Sequence, residues 1–333
     1  MKHLVISTTF LVLFFASCDN NDSDTSPAEL NLVTSSNTSG KITLTNLLAT
    51  SPMVKSFAIA SLDAEGVSYD AETDAVTIAS RTNNQLETYS GIKTAFTAGS
   101  TSLTVALSSA TGEFTNARET AVSGNLVVVA QDQLASNGLI NKLFVYQKST
   151  TGFSLIKTFT TTFKLWGIHI DGADLYAVAD LTGDLVQFKN FMTTVSGTIT
   201  ATKRVTIAGL IRTHGITYSP ADDVMILTDV ASAASATDGG LIIIKNFSTV
   251  FASTAAAGTI AVTNQVRIYG SNSLLGNPVD VAYDSVTKNI YVAERLNAGG
   301  QVLTYSFPVA SGDFAPVNAR AEAGVTSIFV LRR

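Results

Sequence analysis

The sequence predicts an all-β fold built from repeats of a four-stranded unit. Two segments, GDLVQFKNF at residues 183–191 and GGLIIIKNF at residues 239–247, both run from a Gly through an apolar strand to Lys-Asn-Phe. A pair of short strands joined by a turn, with a polar or acidic residue at its end, recurs along the chain. Groups of four short strands that repeat about every 50 residues are typical of propeller blades. The prediction is therefore a six-bladed β-propeller.

Five complete units follow one another, and their equivalent first-strand positions are 66, 119, 167, 215 and 280. The first two strands of these units read EGVSYDAETDAVTIASR (65–81), RETAVSGNLVVVAQD (118–132), WGIHIDGADLYAVAD (166–180), HGITYSPADDVMILTDV (214–230) and VDVAYDSVTKNIYVAER (279–295). Further third strands are predicted at NQLETY (84–89), KLFVY (142–146) and GQVLTYSF (300–307). Fourth strands are predicted at FSLIKTFTT (153–161), TATKRVTIA (200–208) and TNQVRIYG (263–270).

The two ends of the repeat region complete a sixth blade. Residues 30–47 match second and third strands but have no first strand before them, and residues 324–333 match a first strand with nothing after it. Pairing these ends would close the ring and leave no exposed sheet edge between first and last blade. The predicted propeller domain therefore covers residues 29–333. A β-sandwich and a parallel β-helix are the alternative folds.

Composition limits the classes of partner. The chain has 333 residues, of which 46% are hydrophobic and 14% charged, with a formal net charge of −5 and no basic run. A nucleic-acid groove needs clustered Lys and Arg to displace counterions, so we expect no nucleic-acid partner. We also expect a monomer.

The first residues, MKHLVISTTFLVLFFASC, read as an export signal. Lys2 is followed by an apolar run at residues 4–16, which is too short to span a bilayer comfortably. Cys18 is the single cysteine, so the chain cannot form an intramolecular disulfide or a CxxC site. Residues 1–17 are predicted to be a signal peptide and Cys18 a lipidation site. An ordinary secretory signal with an incidental Cys18 is the alternative.

The stretch Phe15-Ala16-Ser17-Cys18 resembles a bacterial lipobox, although Phe15 stands where Leu is commonest. In a lipobox the Cys is lipidated and becomes the first residue of the mature chain. Residues 18–28 are polar and acidic, as in a flexible tether. This start resembles lipoproteins of Bacteroidetes-type bacteria. The resemblance implies a lipid-anchored protein of the cell envelope, in the outer membrane on its surface or periplasmic side.

A binding site is predicted on one face of the ring. The loops that enter each first strand and the loops that join strands two and three open on this face, here called the entry face; tight turns such as DGAD (171–174) and SPADD (219–223) lie on the opposite turn face. Loops on a rigid support concentrate function. The residues expected at the central mouth are Glu65, Arg118, Trp166, His214, Val279 and Ala323. A second ring of strand-end residues comprises Ser35, Ser80, Asp132, Asp180, Asp229 and Glu294.

These residues predict a non-enzymatic site for a glycan, a small molecule or a protein. Trp166 could stack on a sugar face, while Arg118 and Glu65 could form hydrogen bonds at the rim. Each residue also has a structural interpretation. Trp166 could plug the channel with apolar surface, and the strand-end acids could cap turns by accepting backbone N–H groups. His169 lies within an alternating strand, where we expect it to be packed or to face solvent.

The repeats resemble NHL-type repeats, which carry a GIAVD…YVAD pattern; HGITYS…LTDV and VDVAYD…IYVAER match it best. That resemblance implies a propeller and no particular activity.

AEGVSYD (64–70) also resembles the EGPVWD opening of the senescence-marker-protein/gluconolactonase family, which are six-bladed calcium-dependent lactonases. Glu65 matches one metal ligand of that family, whereas His214 and Val279 stand where an Asn and an Asp would be, with Asp280 one residue away. We therefore expect no metal cofactor and no catalytic residue. Calcium at Glu65 in a metal-dependent, lactonase-like hydrolase is the alternative.

Overall fold

Six sheets of four or five strands stand around a central axis in the computed structural model, which describes residues 28–333. One inner strand of each sheet contacts the inner strands of both neighbouring sheets, so the six inner strands close a ring. The predicted six-bladed β-propeller is therefore confirmed. The predicted signal peptide, Cys18 and all of the tether except Ala28 lie outside the described residues.

Blades are numbered from the start of the chain. Blade 1 contains β1 (Leu30–Ser36), β2 (Lys41–Asn46) and β3 (Met53–Ala58). Blade 2 contains β4 (Ala64–Asp70), β5 (Ala75–Ser80), β6 (Gln85–Ser90) and β7 (Val105–Ser108), with helix α1 (Ile92–Ala98) between its last two strands. Blade 3 contains β8 (Ala117–Ser123), β9 (Leu126–Gln131), β10 (Asn141–Ser149), β11 (Gly152–Thr161) and a short added strand, β15 (Gly197–Thr198).

The second half of the chain continues the pattern. Blade 4 contains β12 (Leu165–Asp171), β13 (Asp174–Ala179), β14 (Asp184–Phe188), β16 (Lys203–Ile207) and the added strand β20 (Thr259–Ile260). Blade 5 contains β17 (Thr213–Ser219), β18 (Val224–Asp229), β19 (Gly240–Lys245) and β21 (Val266–Tyr269), with helix α2 (Phe247–Ser253) after β19. Blade 6 contains β22 (Pro278–Asp284), β23 (Asn289–Glu294), β24 (Gln301–Ser306) and β25 (Asn318–Ala321).

The ring is closed by the last strand of the chain, β26 (Val325–Arg332), which is the inner strand of blade 1. It pairs antiparallel with β1 from Leu30↔Arg332 to Ser36↔Val325, with one register shift. Two backbone hydrogen bonds between Glu29 and Arg333, at 2.8 and 3.0 Å, extend the ladder. The predicted exchange of strands between the two ends of the chain is confirmed.

Hydrophobic side chains pack between neighbouring blades rather than on the axis. The described residues form six apolar clusters, one at each contact between adjacent blades. Each sheet thus buries both faces, which explains why strands such as GLIIIK are almost continuously apolar. The described helices are short, and none of them could span a membrane.

The repeated Lys-Asn-Phe triplet has a structural cause. Asn190 and Asn246 adopt left-handed backbone conformations, with φ of 55° and 49°, which Asn tolerates better than most residues. The turn they make places Phe191 and Phe247 in fully buried positions between blades. Phe191 lies 4.9 Å from Phe159, measured between ring centroids. The two triplets are therefore equivalent packing anchors at the ends of β14 and β19.

Candidate functional site

Each inner strand carries a β-bulge close to its first residue, and the bulge sets which side chains reach the mouth of the channel. The equivalent mouth positions are Glu65, Arg118, Trp166, His214, Val279 and Thr326. The sixth position differs from the prediction, which placed Ala323 there. Ala323 lies in the loop before β26 and accepts a hydrogen bond from the Ser36 hydroxyl at 3.2 Å through its carbonyl.

Three of the predicted mouth residues meet, but they fill the mouth themselves. The rings of Trp166 and His214 stack with centroids 3.6 Å apart and planes within 4°. The guanidinium of Arg118 lies 4.1 Å from the centroid of the Trp166 ring. Trp166 is only 8% exposed and His214 only 2%. We call Arg118, Trp166 and His214 the mouth stack. The stack covers both faces of Trp166, an arrangement that matches the structural interpretation of Trp166 as a plug.

A buried charge network supports the mouth stack. Asp180 accepts hydrogen bonds from Arg212 at 2.7 Å and from His214 at 3.1 Å. Lys164 lies between Asp180, at 3.6 Å, and Asp132, at 3.5 Å, and Asp132 also accepts a hydrogen bond from Arg118 at 3.0 Å. Asp132 and Asp180 therefore belong to one network of carboxylates and cations that runs across blades 3 to 5.

The protonation states in this network follow from its burial. Burial would raise the pKa of Asp180, but its hydrogen bonds with His214 and Arg212 hold that pKa well below the usual range. Burial lowers the pKa of His214 to about 4, although Asp180 opposes the change. The imidazole is therefore neutral near pH 7 and donates its Nε2 proton to Asp180.

The other two strand-end acids cap loops. Asp229 accepts hydrogen bonds from the backbone N–H groups of Ile211, Arg212 and Ala231. Glu294 accepts them from the backbone N–H groups of Gly276, Asn277, Leu296 and Asn297. Both carboxylates are fully buried by the loops that they hold. Their contacts match the structural interpretation, in which they shape the entry face.

The residues around Glu65 do not fit a calcium ion. The Glu65 carboxylate accepts hydrogen bonds from Arg81 at 3.1 Å and Asn37 at 3.3 Å, and burial raises its pKa. His214 is committed to Asp180, and Val279 has no side-chain donor atom. Between residues 28 and 333 no group of three or more His, Cys, Asp or Glu is arranged to hold a metal. Calcium prefers six to eight oxygen ligands, and this set does not supply them.

An open cavity occupies the other half of the channel, toward the turn face. It has a volume of about 280 Å³ and is lined by the second halves of the six inner strands. Because side chains alternate along a strand, every second residue faces the axis. The innermost ring consists of Gly66, Glu119, Gly167, Gly215, Asp280 and Ser327, and the next ring of Ser68, Ala121, His169, Thr217, Ala282 and Phe329. We call this space the channel cavity.

Glycines allow the inner strands to crowd together at the end of the channel cavity. A Cβ atom on Gly167 would lie 2.1 Å from the carbonyl oxygen of His214, and one on Gly215 would lie 2.7 Å from the Cα of Asp280. Three inner strands have Gly at this position, whereas blades 3 and 6 carry Glu119 and Asp280 instead. These two blades stand opposite each other in the ring. An acid at a position where the other four blades have Gly or Ser is the sequence signal that could have located the cavity.

The two carboxyl groups differ in how they are satisfied. Asp280 accepts backbone hydrogen bonds from Val281 at 2.8 Å and Ile328 at 2.7 Å. Glu119 accepts one from Thr120 at 2.7 Å through Oε1. Burial raises the pKa of both groups, and the Asp280 charge raises that of Glu119 further. Burial also lowers the pKa of His169, which lines the cavity, to about 4.

A second cavity of about 550 Å³ opens between blades 2 and 3. It shares Ser68, Val122 and Phe329 with the channel cavity and reaches the turns at Asp70 and Gly124. Lys148 lines it and lies 3.4 Å from the Thr77 hydroxyl. The two cavities thus adjoin on the turn face, on the side of the ring opposite to the predicted site.

Comparison with known proteins defines the fold and no family. No family model matches the chain, and no curated protein matches it. A chain from a crystal structure of a nidogen/laminin complex is similar, with a TM-score of 0.62 and 13% identity over 90% of this chain and 98% of that chain. A protein of Bacteroides fragilis provisionally assigned as a 6-phosphogluconolactonase has a TM-score of 0.60 and 12% identity over 93% of this chain and 100% of that chain. A similarly assigned protein of Bacteroides uniformis has a TM-score of 0.53 and 14% identity over 88% of this chain and 82% of that chain.

Proposed function

We propose that the protein is a lipid-anchored envelope protein whose propeller binds a small ligand in the channel cavity and catalyses no reaction. The observation that carries the proposal is a cavity plugged at one end by the mouth stack and open at the turn face. Its volume of about 280 Å³ lies near the lower limit of ordinary ligand sites. A compact molecule suits it better than a glycan chain or a protein.

The proposal includes the origin suggested by the sequence. The lipobox-like start supports a lipoprotein of Bacteroidetes type, and the NHL-like motifs support its propeller. The likeness in fold to proteins of two Bacteroides species is compatible with that origin. A metal-dependent lactonase remains the other class to test, although the residues around Glu65 supply no adequate set of ligands.

The tether would attach to the propeller on the same face as the ligand entrance and so keep that entrance near the membrane. β1 begins at Leu30, which pairs with Arg332 at the end of β26, on the turn face where the channel cavity opens. The stretch from Cys18 to Glu29 cannot exceed about 40 Å in length. A lipid on Cys18 would therefore keep the turn-face end of β1 within that distance of the bilayer.

The anchor is tested by replacing Cys18 with Ser. We expect the wild-type chain to fractionate with membranes and to incorporate labelled palmitate, and Cys18→Ser to lose the label and accumulate in the soluble fraction or as unprocessed precursor. The propeller should fold equally in both, since it begins after Cys18. Equal membrane binding and equal labelling of the two chains would show that the anchor is wrong.

Ligand binding is tested by filling the cavity. Thr217 faces the axis from β17, and Thr217→Trp would occupy the channel with an indole, whereas Thr217→Ser leaves it open. We expect a screen of amines, carboxylates, monosaccharides and lactones to yield a class of compound that raises Tm saturably. The rise should be roughly 5 °C at a hundredfold excess over Kd. It should persist in Thr217→Ser and vanish in Thr217→Trp.

The same screen can contradict the proposal. If no compound stabilises the protein, or if Thr217→Trp responds as the wild type does, the channel cavity is not the binding site. Hydrolysis of a lactone above the rate of the uncatalysed reaction would instead favour the enzyme. Circular dichroism of both Thr217 variants serves as the control that they fold.

A further inference from the structure

We infer that the channel cavity selects a compact organic ammonium ion, held between Glu119 and Asp280. This inference rests on the proposed function, because it names the class of ligand for the same cavity. It is carried by the two opposed acids at the closed end, by an acceptor atom that no neighbour satisfies, and by an aromatic wall.

The first observation is an unused acceptor. Glu119 is only 7% exposed and lines the cavity. Its Oε1 accepts the backbone N–H of Thr120, whereas its Oε2 accepts no hydrogen bond from any residue that the structure describes. This oxygen faces the open space of the cavity, where water or a ligand can reach it. A ligand with an N–H group would supply the missing donor.

The second observation is the sign of the charge. Glu119 and Asp280 both reach the cavity, and no Lys or Arg is among the residues that line it. An anionic ligand would bring its charge into a buried site that offers two acids and no compensating cation, which is unfavourable. A monovalent cation would compensate one carboxylate, while the other acid stays protonated. The cavity is therefore suited to positive charge.

The third observation distinguishes an organic cation from a metal ion. Phe329, Tyr218 and Tyr283 border the cavity, and each also packs against an apolar cluster between blades. Aromatic faces attract ammonium groups and also cover their alkyl portions. A bare metal ion would use neither the aromatic wall nor most of a volume of about 280 Å³. No third carboxylate or imidazole joins Glu119 and Asp280 within residues 28–333 to complete a metal site.

Binding should be linked to proton release. In the empty cavity, burial and mutual repulsion favour protonated Glu119 and Asp280, whereas an ammonium ion favours the carboxylate form of one of them. Affinity should therefore rise with pH from about 5 to about 8. The other titratable or charged groups on the surrounding inner strands are Glu65, Tyr69, Asp70, Arg118, His169, Asp171, His214, Tyr218, Tyr283, Asp284 and Arg332. His169 and His214 stay neutral over this range, and among the other carboxyl groups burial raises the pKa of Glu65 and Asp171.

The experiment compares three probes of nearly equal size: n-butylamine, 1-butanol and butyrate. Isothermal titration of the full propeller should show n-butylamine binding at least tenfold more tightly than the other two. Glu119→Gln keeps an acceptor for the Thr120 N–H and should lower the affinity for n-butylamine at least tenfold. Asp238→Asn, which removes an exposed carboxylate on the entry face, should leave the affinity unchanged. The pH dependence should be smaller in Glu119→Gln than in the wild type.

The outcomes separate this inference from the proposed function. Binding of 1-butanol or butyrate as tight as that of n-butylamine, and lost in Thr217→Trp, would overturn the ammonium site and keep the ligand-binding propeller. No binding of any screened compound would overturn both. If Glu119→Gln fails to fold, titration of the wild type in buffers of different ionisation enthalpy decides. Proton release on binding n-butylamine supports the site, and its absence overturns it.

Discussion

Deleting residues 324–333 is expected to abolish cooperative unfolding. The deletion removes β26, whose residues Val325 and Ile328 are buried and which pairs with β1 along its whole length. It also removes the Ser327 hydroxyl that accepts the Gly66 N–H at 2.6 Å. Each buried aliphatic side chain contributes about 1.5–3 kcal/mol and each hydrogen bond about 0.5–1.5 kcal/mol. The sum of these contributions is comparable with the free energy of unfolding of a typical domain, which is about 5–15 kcal/mol.

Thermal unfolding followed by circular dichroism, together with gel filtration, tests this expectation. The shortened chain should lack a sigmoidal transition and should aggregate, because β1 and its neighbours expose unpaired edges. Deletion of Arg333 alone is the matched control. It removes the frayed end of the ladder to Glu29 and should change Tm by only a few degrees, about 2–4 °C per kcal/mol lost. A shortened chain that melts cooperatively at the parent temperature would show that β26 is not needed for closure.

The closure of the ring could be predicted because it depends on pattern. Residues 30–47 lacked a first strand and residues 324–333 lacked the rest of a blade, and backbone pairing completes one with the other. The added strands β15 and β20 could not be predicted, since each has two residues and pairs with the blade before its own. Helices α1 and α2 were also missed. Each has seven residues, too few for an apolar periodicity to emerge from the loop sequence.

The packing around the candidate site could be predicted only in part. The repeat placed Arg118, Trp166 and His214 at one mouth, and there they meet. Sequence could not reveal that they would stack on one another and close the mouth, because side-chain rotamers and the charges around Asp180 decide that. It also drew attention to the entry face, whereas Glu119 and Asp280 line a cavity toward the turn face. Those two acids were visible only as departures from Gly or Ser at equivalent positions.

Replacing Asp180 with Ala is expected to be among the most destabilising single changes in the protein. Asp180 is 4% exposed and is surrounded by Arg212, His214 and Lys164. Removing one partner of a buried ion pair typically costs about 3–5 kcal/mol. Here Arg212 and the neutral His214 lose their acceptor, and the partial exposure of the Arg212 and Lys164 side chains, 21% and 27%, places the cost near the lower end of that range. We expect Tm to fall by roughly 6–15 °C. The matched control is Lys288→Ala, which breaks an ion pair with Asp222 whose Lys side chain is 52% exposed, and which should cost less than about 1 kcal/mol.

The effect of Asp180→Ala should also depend on pH in a defined direction. The folded protein holds the pKa of Asp180 below its unfolded value of about 3.9, so the carboxylate stabilises the fold above about pH 4. That contribution is lost as the pH falls through the folded pKa. Wild type and Asp180→Ala should therefore differ most near pH 7, and their free energies of unfolding should converge below about pH 3. Urea titrations at a series of pH values measure the difference, and a gap that stays constant down to about pH 2 would show that the network around the mouth stack does not depend on the Asp180 charge.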